Sequence, residues 1–321
     1  MSLLVVGTTA LDSIKTPYAE NPRLLGGSAS HAAVAASFFA PTHLVGAVGE
    51  DFPRKYLNLY RRHGLCLEGL DQLPGQTFHW SGEYEVNMNN RRTLDTVLGV
   101  IENYSPTLPA AYTRLPYVLL ANIAPDLQGH VLDQMKRPKF IVADTMDLWL
   151  NIARPAVLKL LKRIDCLVLN DSEAAQLVEE DNAVAALPRI HKLGPKYVIV
   201  KKGEHGAILS GPKGLFVAPA YPLKKVVDPT GAGDSFVGGL HRARGCGARG
   251  RCGDGGAQIR RGECRKGLSW RNARALSHRA AGAHRCRPPQ RVFFFFFFSF
   301  FFCRCPLVSR GRGRGLCGGA P

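Results

Sequence analysis

The segment with the clearest chemical meaning lies at residues 228–234 and has the sequence DPTGAGD. Its small residues let the backbone N–H groups of Gly231, Ala232 and Gly233 converge, and a helix-like sequence, FVGGL, follows closely. A helix N-terminus adds positive potential at such a place. The segment therefore predicts an anion hole for a phosphoryl group. Asp234, at the same helix start, can accept the proton of a substrate hydroxyl group.

Asp228 lies six residues before Asp234, and its carboxylate could help to hold a magnesium–phosphate cluster. A short GxGD pattern has a plain structural alternative, a Gly-rich turn capped by Asp. The full string DPTGAGDSF, at residues 228–236, is far more specific than that short pattern. The short pattern by itself favours the turn, so the interpretation depends on the full string.

Four short apolar runs predict buried strands: YVLLA, FIVAD, CLVLN and YVIVK. Such runs are typical of parallel strands that are covered on both faces. Helix-like segments alternate with them, which predicts right-handed crossovers in a doubly wound sheet. Active sites in such sheets lie at the carboxyl ends of the strands. The polar residues that follow the apolar runs are therefore candidates: Asp12, Asn122, Asp144, Asn170 and Lys201.

The first hundred residues continue the alternation of strands and helices. SLLVVGT at 2–8 predicts a strand, the Ala-rich stretch at 28–39 a helix, and THLVGAVG at 42–49 a second strand. Residues 77–98 alternate like two paired strands with a polar turn near Asn89 and Asn90. Together these segments predict an α/β domain.

The string DPTGAGDSF resembles the signature of the ribokinase-like (PfkB) carbohydrate kinases, in which the aspartate after GAG is the catalytic base. Smaller motifs extend the resemblance over residues 1–240, among them VGAVGED at 45–51. The resemblance implies a ribokinase-like fold, with a doubly wound, mostly parallel sheet flanked by helices and a small β lid. It places the lid strands near residues 12–20 and 76–100. It also implies that Asp234 is the base.

The resemblance implies a substrate site near the start of the chain. Asp12 follows the first strand, where the family contacts substrate hydroxyl groups, and Gly26 and Gly27 open the first helix like the family's substrate loop. His31 stands where that loop usually carries Asn. An imidazole can donate or accept a hydrogen bond, but it is bulkier than an amide and titratable. His31 either marks a different substrate or faces the neighbours of its helix.

The resemblance also implies a metal and phosphate motif at Asn170 and Glu173, which match the family's N-x-x-E. It assigns Asn170 to nucleotide binding, and Glu173 to Mg²⁺ together with Asp228. The residues alone leave a plainer alternative open: Asn170 could merely end a strand, and Glu173 could be an acid in the first turn of a helix.

A glycine turn near residue 203 resembles the one that meets the nucleotide phosphates in the family. The resemblance assigns Lys202, Gly203 and Gly206 to nucleotide binding, together with Thr230 of the signature. An ordinary hairpin turn would have the same glycines.

These assignments predict an ATP-dependent kinase that phosphorylates a hydroxyl group of a sugar, with ATP and Mg²⁺ as cofactors. The alternatives are a nucleoside kinase of the adenosine type and an inactive, truncated kinase-like protein. The expected partner is a small-molecule sugar or nucleoside, and the lid is a candidate homodimer contact. Neither a nucleic acid nor a membrane is an expected partner.

The charge of the chain is unevenly distributed. Residues 1–240 contain 24 Lys and Arg against 23 Asp and Glu, whereas residues 241–321 contain 18 against two. Seven of the nine Cys also lie in residues 241–321. This distribution excludes a uniformly basic protein and a disulfide scaffold. The chain starts without a basic segment and has no apolar run of about 20 residues, so we expect a cytoplasmic protein.

Residues 241–321 keep no helical or strand period and include nine Phe between Phe293 and Phe302. Such a composition predicts a disordered tail. Three interpretations compete: an RNA-binding tail, a membrane contact through the Phe run, and a segment translated out of frame. We favour the third. The resembled family continues with a long helix and a segment that packs against adenine, so we expect weak or absent activity from a chain with this tail.

Overall fold

The computed structural model describes residues 2–88 and 91–240. The strands of this part are β1 (Leu3–Val6), β2 (Ala10–Thr16), β3 (Ala19–Gly26), β4 (Thr42–Gly49), β5 (Cys66–Leu73), β6 (His79–Tyr84), β7 (Arg91–Val97), β8 (Tyr117–Leu120), β9 (Phe140–Asp144), β10 (Cys166–Asn170), β11 (Tyr197–Lys201), β12 (Ala207–Gly211) and β13 (Gly214–Ala218). The helices are α1 (Ser28–Ser37), α2 (Arg54–Arg62), α3 (Pro125–Gln134), α4 (Asp147–Ile152), α5 (Arg154–Leu161), α6 (Asp171–Val178), α7 (Ala183–His191) and α8 (Ala232–Gly239).

The larger sheet has the strand order β13-β12-β11-β10-β9-β8-β1-β4-β5. Neighbouring strands from β11 to β5 are parallel, whereas β12 and β13 add an antiparallel edge. The chain builds outwards from β1 in both directions, first to β4 and later to β8. This confirms the expected doubly wound, mostly parallel α/β fold. Ligands of such sheets bind at the carboxyl ends of the strands, where the strand order reverses.

Side chains that follow one another along a strand enter two different cores. Leu120 and Leu167 belong to the core on one face of the sheet, and their neighbours Leu119 and Val168 belong to the core on the other face. A strand that is buried on both faces needs apolar residues at every position. This explains the continuous apolar runs of the sequence.

The close approach of α8 to α1 positions the candidate site. A side chain at Gly238 would clash with the backbone carbonyl group of Ala32, so the two helices pack with glycine between them. Phe236 and Val237 anchor α8 in the same core as Ala29 and Ala33 of α1. The packing brings the first turns of both helices together.

The smaller sheet has the order β3-β2-β6-β7. In it β2 runs parallel to β6, and the other two pairs are antiparallel. The segment expected as one strand near residues 12–20 is two strands, because the chain turns at Pro17 and Tyr18 and returns as β3. Much of β3 is exposed, so its sequence lacks the alternation that would have indicated a strand.

Some elements and regions differ from the sequence-based expectations or lie outside the structure. The strands β5, β12 and β13 and the helices α4 and α7 were not predicted. The expected turn at Asn89 and Asn90 and the expected tail at residues 241–321 lie outside the described residues. Within the described residues, no helix is both long and apolar enough to cross a bilayer.

Candidate active site

The glycine loop leads directly into α8. Gly231 caps the helix with a φ angle of 72°, which favours glycine. The Thr230 N–H donates to Asp228 Oδ1 at 2.9 Å and thereby closes a turn. The Ala232 N–H donates to the Pro229 carbonyl oxygen at 3.1 Å, so one of the three amides expected in the anion hole is engaged within the loop.

Asp234 lies in the first turn of α8. The charge of this residue acts on the pKa values of several groups from other elements, among them Asp12 in β2, Asp144 at the end of β9 and Lys201 at the end of β11. The fold therefore brings the predicted base together with the carboxyl ends of the strands. The candidate site lies at the edge of the sheet where the sequence predicted it.

Asp12 is a buried carboxylic acid next to the helix starts. Burial raises its pKa from 3.8 to about 7, and the charges of Asp234 and Asp228 add to the rise, while a hydrogen bond from a backbone amide, that of Gly27, lowers it. Its Oδ1 is buried without a hydrogen-bond partner among the described residues. A side chain at Gly26 would clash with the carboxyl group. The lack of a side chain at Gly26 therefore leaves the space that the Asp12 carboxyl group occupies.

His31 lies against the glycine loop. A side chain at Gly231 would clash with the imidazole ring. His31 Nε2 is buried and has no hydrogen-bond partner in the described part of the chain. Burial lowers the pKa of His31, against the effect of the negative charges of Asp234 and Asp228. A neutral ring with an unpartnered nitrogen can donate or accept one hydrogen bond.

Asn170 and Glu173 form a capping box at the start of α6. The Glu173 N–H donates to Asn170 Oδ1 at 2.7 Å, and the Asn170 N–H donates to Glu173 Oε2 at 2.7 Å. Burial raises the pKa of Glu173 to about 7, and the charge of Lys201 opposes the rise. The plainer interpretation of this motif, a strand end and a first-turn acid, thus describes its local structure.

Lys202, Gly203 and Gly206 form the turn between β11 and β12. The Lys202 N–H donates to the Gly206 carbonyl oxygen at 2.8 Å, and both glycines have positive φ angles, 51° and 98°. A side chain at Gly206 would clash with the carbonyl group of Ala218. These contacts are those of a hairpin turn, and none of them joins the turn to the start of α8.

The structure shows two contacts at the candidate site that the sequence did not predict. Lys201 Nζ lies 3.1 Å and 3.4 Å from the two carboxylate oxygens of Asp144. Thr230 Oγ1 donates to the hydroxyl oxygen of Tyr84, in the smaller sheet, at 3.2 Å. The sequence marked Asp144 and Lys201 as polar strand ends but gave them no role. It held no signal for Tyr84.

The site has an excess of carboxyl groups. The charges of Asp144, Glu173 and Asp234 act on the ammonium group of Lys201. Burial raises the pKa values of three carboxyl groups of the site: Asp12, Asp144 and Glu173. Such an excess fits a cation that enters with its ligand. Among the described residues, no group of three or more His, Cys, Asp or Glu side chains could hold a metal ion by itself.

Comparison with known proteins identifies the class and then the family. The model of the pfkB family carbohydrate kinases matches residues 20–247. This match places the chain in a class of phosphotransferases, the carbohydrate kinases. The chain belongs to the pfkB family of carbohydrate kinases.

Individual relatives include both nucleoside and sugar kinases. A cytidine kinase from Thermococcus kodakarensis is 28% identical over 248 residues, which cover 75% of this chain and 87% of the relative. The structure of Arabidopsis thaliana ribokinase with ribose and ATP has a TM-score of 0.60 and 22% identity, and the match covers 75% of this chain and 85% of that chain.

A nucleoside kinase from Burkholderia thailandensis in complex with inosine has the same fold. Its TM-score is 0.58 at 22% identity, and the match covers 75% of this chain and 82% of that chain. At this level of identity the two solved structures show a shared fold, and the acceptor of this chain is a separate question.

Proposed function

We propose that the protein transfers the γ-phosphoryl group of ATP to a hydroxyl group of a sugar. The observation that carries this proposal is the position of Asp234, in the first turn of a helix that begins at a glycine loop, where its charge acts on the buried Asp12. Asp234 accepts the proton of the acceptor hydroxyl group. The bond between the γ-phosphorus and the bridging oxygen of ATP breaks, the new phosphorus–oxygen bond forms, and ADP leaves.

The two ends of the site have separate roles in this proposal. Asp12, Gly26, Gly27 and His31 bind and orient the acceptor. The loop of Gly231, Ala232 and Gly233 stabilises the transferred phosphoryl group, and the N–H groups of Gly231 and Gly233 are its donors, because the Ala232 N–H is engaged in the loop. The nucleotide is bound by the remaining candidates: Asn170, Lys202, Gly203, Gly206 and Thr230.

Asp228 and Glu173 would hold Mg²⁺, which neutralises the charge of the triphosphate when it is bound. Mg²⁺ usually takes one or two carboxylates and completes its shell with water and phosphate oxygens. Among the described residues no three such side chains form a site by themselves, so water and phosphate oxygens would supply the other ligands. Asp228 and Glu173 would orient the nucleotide through a metal ion that binds together with it.

A nucleoside is the second candidate acceptor. The similarity to the cytidine kinase of T. kodakarensis extends over 87% of that protein, and His31 replaces the Asn of the resembled sugar loop. A sugar and a nucleoside share the ribose hydroxyl groups that Asp12 would bind. The two acceptors differ in the base, which needs apolar or stacking surface beyond the sugar.

The test is a panel assay on this chain and, beside it, on a chain whose reading frame is restored near Leu240, because we expect weak or absent activity from a chain with residues 241–321 as they stand. ATP and Mg²⁺ are supplied with ribose, fructose, adenosine, cytidine or inosine, and the phosphorylated product is identified by mass spectrometry. The expected result is product with a sugar, and product with the nucleosides alone moves the function to the second candidate. Asp234→Asn is expected to abolish transfer and to retain ATP binding. Asp126→Asn, an exposed aspartate in the first turn of α3, is the matched control.

We also propose that residues 1–240 are a kinase domain that lacks its C-terminal part, and that residues 241–321 are translated out of frame. The abrupt change from balanced charge to 18 basic and two acidic residues supports this proposal. Resequencing the gene tests it, and an error-free coding frame through the Phe run contradicts it. If a one-base shift is found near Leu240, the restored chain is assayed beside this one. A homodimer that forms through the smaller sheet stays a prediction, and analytical ultracentrifugation measures whether the protein is a dimer.

A further inference from the structure

Lys201 holds a mostly buried ammonium group at the end of β11. Its side chain is 19% exposed, and the side chain of its partner Asp144 is 5% exposed. Within the described residues, the hydrogen bonds of this ammonium group go to Asp144 alone, at 3.1 Å and 3.4 Å. An ammonium group has three N–H donors. The pair therefore leaves donor capacity that faces away from Asp144.

Gly233 lies next to this ammonium group. A Cβ atom at position 233 would be 3.2 Å from Lys201 Nζ, which is closer than most such contacts. The positive charge is thus in contact with the second glycine of the loop, one residue before Asp234. A phosphoryl oxygen bound at the Gly233 N–H would lie within reach of both groups.

Asp144 is held in place by groups that do not belong to the candidate site. The Thr145 N–H donates to Asp144 Oδ1 at 3.2 Å, and the buried side chain of Gln128 donates to the Asp144 carbonyl oxygen at 3.2 Å. A carboxylate that is fixed at both its backbone and its side chain can orient the lysine. A flexible surface lysine would lack this support.

We propose that Lys201 is a catalytic residue of the site, whose ammonium group, oriented by Asp144, donates to the transferred phosphoryl group at the Gly233 amide. This inference rests on the proposed kinase function. In it, Asp144 is a positioning residue. The ammonium group supplies the positive charge that the loop amides alone provide only as partial charges.

The electrostatics of the site agree with this role. Burial lowers the pKa of Lys201, but the charges of Asp144, Glu173 and Asp234 outweigh it, so the pKa lies above its usual value. The lysine therefore stays charged at neutral pH. A polyanionic nucleotide also needs a positive group near so many carboxylates, and the ammonium group of Lys201 lies against Gly233 of the loop.

A structural ion pair is the competing explanation, and the design of the test separates the two. The variants are Lys201→Met, Lys201→Arg and the double variant Lys201→Met with Asp144→Asn, which removes the buried charge that Lys201→Met leaves unpaired at Asp144. Lys196→Met is the matched control, because Lys196 is exposed and precedes the other end of β11. The measurements are kcat, the KM for ATP, the melting temperature, and the Kd values of ADP and of a non-hydrolysable ATP analogue by calorimetry.

Lys201→Met is expected to lower kcat by about 100-fold or more, as the loss of one donor to a transition state does. The Kd of the ATP analogue is expected to rise at least about tenfold, and that of ADP less than about threefold, because only the analogue carries the γ-phosphoryl group. The double variant is expected to regain melting temperature without regaining kcat. Lys201→Arg is expected to recover part of the kcat.

Two results would overturn the role of Lys201. One is a double variant that recovers both melting temperature and kcat, and the other is an unchanged ratio of the two Kd values in Lys201→Met. Failure of the proposed function looks different, because neither this chain nor the chain with the restored reading frame then phosphorylates any acceptor. In that case the ratio of Kd values still tests the role of Lys201, and a restored chain that binds neither nucleotide rejects both proposals.

Discussion

The imidazole ring of His31 occupies the space that any side chain at position 231 would need. His31 belongs to the first turn of α1, and Gly231 caps α8. Two features therefore require glycine at position 231: the left-handed backbone conformation and the His31 ring beside it. The contact joins the expected acceptor side of the site to the loop that would hold the phosphoryl group.

Gly231→Ala is expected to lower both stability and activity. A side chain in a left-handed conformation costs roughly 1–2 kcal/mol, and the displaced His31 ring adds to this cost. A shift of the loop by one ångström is expected to lower kcat/KM by about 100-fold. Thermal unfolding and the kinase assay measure the two effects.

The control for Gly231→Ala is Gly64→Ala. Gly64 has a φ angle of 70°, close to the 72° of Gly231, and nothing within 4 Å of a built Cβ atom. It carries the backbone strain without the clash. The double variant Gly231→Ala with His31→Ala is expected to recover the stability lost through the ring. Equal losses in Gly64→Ala and Gly231→Ala would show that the contact with His31 has no energetic weight.

Asp12→Asn is expected to change the pH dependence of stability. Because the pKa of Asp12 rises from 3.8 to about 7 on folding, the folded protein binds this proton more tightly than the unfolded chain. The stabilisation is fully present below pH 3.8 and is lost as the pH rises through about 7. At about 1.4 kcal/mol per pKa unit, the unfolding free energy of the unmodified chain should fall by up to about 4 kcal/mol relative to the variant.

Denaturant unfolding of both proteins from pH 4 to pH 8 measures this difference. As the pH rises, the free energy of unfolding of Asp12→Asn is expected to increase relative to that of the unmodified chain. Asp126→Asn, whose carboxylate is exposed, is expected to have the same pH dependence as the unmodified chain. Parallel curves for Asp12→Asn and the unmodified chain would contradict a buried, proton-binding carboxyl group.

The sequence was sufficient for the loop and the parallel strands because both depend on local patterns. The loop is encoded by consecutive small residues in the DPTGAGD string, and strands such as CLVLN are apolar on both faces. The pairing of Asp144 with Lys201 could not be predicted, because it depends on β9 and β11 lying on either side of β10. The strand order is a property of the whole sheet, and no local signal carries it.

The hydrogen bond between Thr230 and Tyr84 illustrates a second limit of the sequence. These residues are 146 positions apart and connect the glycine loop to the smaller sheet. The sequence does not indicate which of many polar groups would form a hydrogen bond with a tyrosine in a half-exposed strand. Only the packing of β6 over the loop selects this one.

Tyr84→Phe is expected to loosen the smaller sheet over the loop. It removes one hydrogen bond, worth about 0.5–1.5 kcal/mol, and keeps the buried ring. We expect kcat/KM for the acceptor to fall about 2- to 10-fold, since each 1.4 kcal/mol is about tenfold. The control is Tyr18→Phe, an exposed tyrosine at the turn between β2 and β3. If the two variants have the same kcat/KM, the hydrogen bond does not position the sheet.

Asn170→Ala separates the capping role of Asn170 from its proposed nucleotide role. The loss of an N-cap side chain costs about 0.5–2 kcal/mol, and Asn182→Ala should lose a similar amount, because Asn182 caps α7 through the N–H groups of Val184 and Ala185 at 2.9 Å and 3.1 Å. If Asn170 also serves the nucleotide, only Asn170→Ala loses activity and requires more Mg²⁺ for half-maximal rate.

Asn170→Ser completes this comparison, because Ser caps a helix about as well as Asn but lacks the amide group. The serine variant is expected to melt like the unmodified chain and to remain as inactive as the alanine variant. Recovery of both stability and rate in Asn170→Ser would reduce Asn170 and Glu173 to a capping box. The buried Glu173, with its pKa raised to about 7, would then be a structural acid whose carboxylate serves the start of α6.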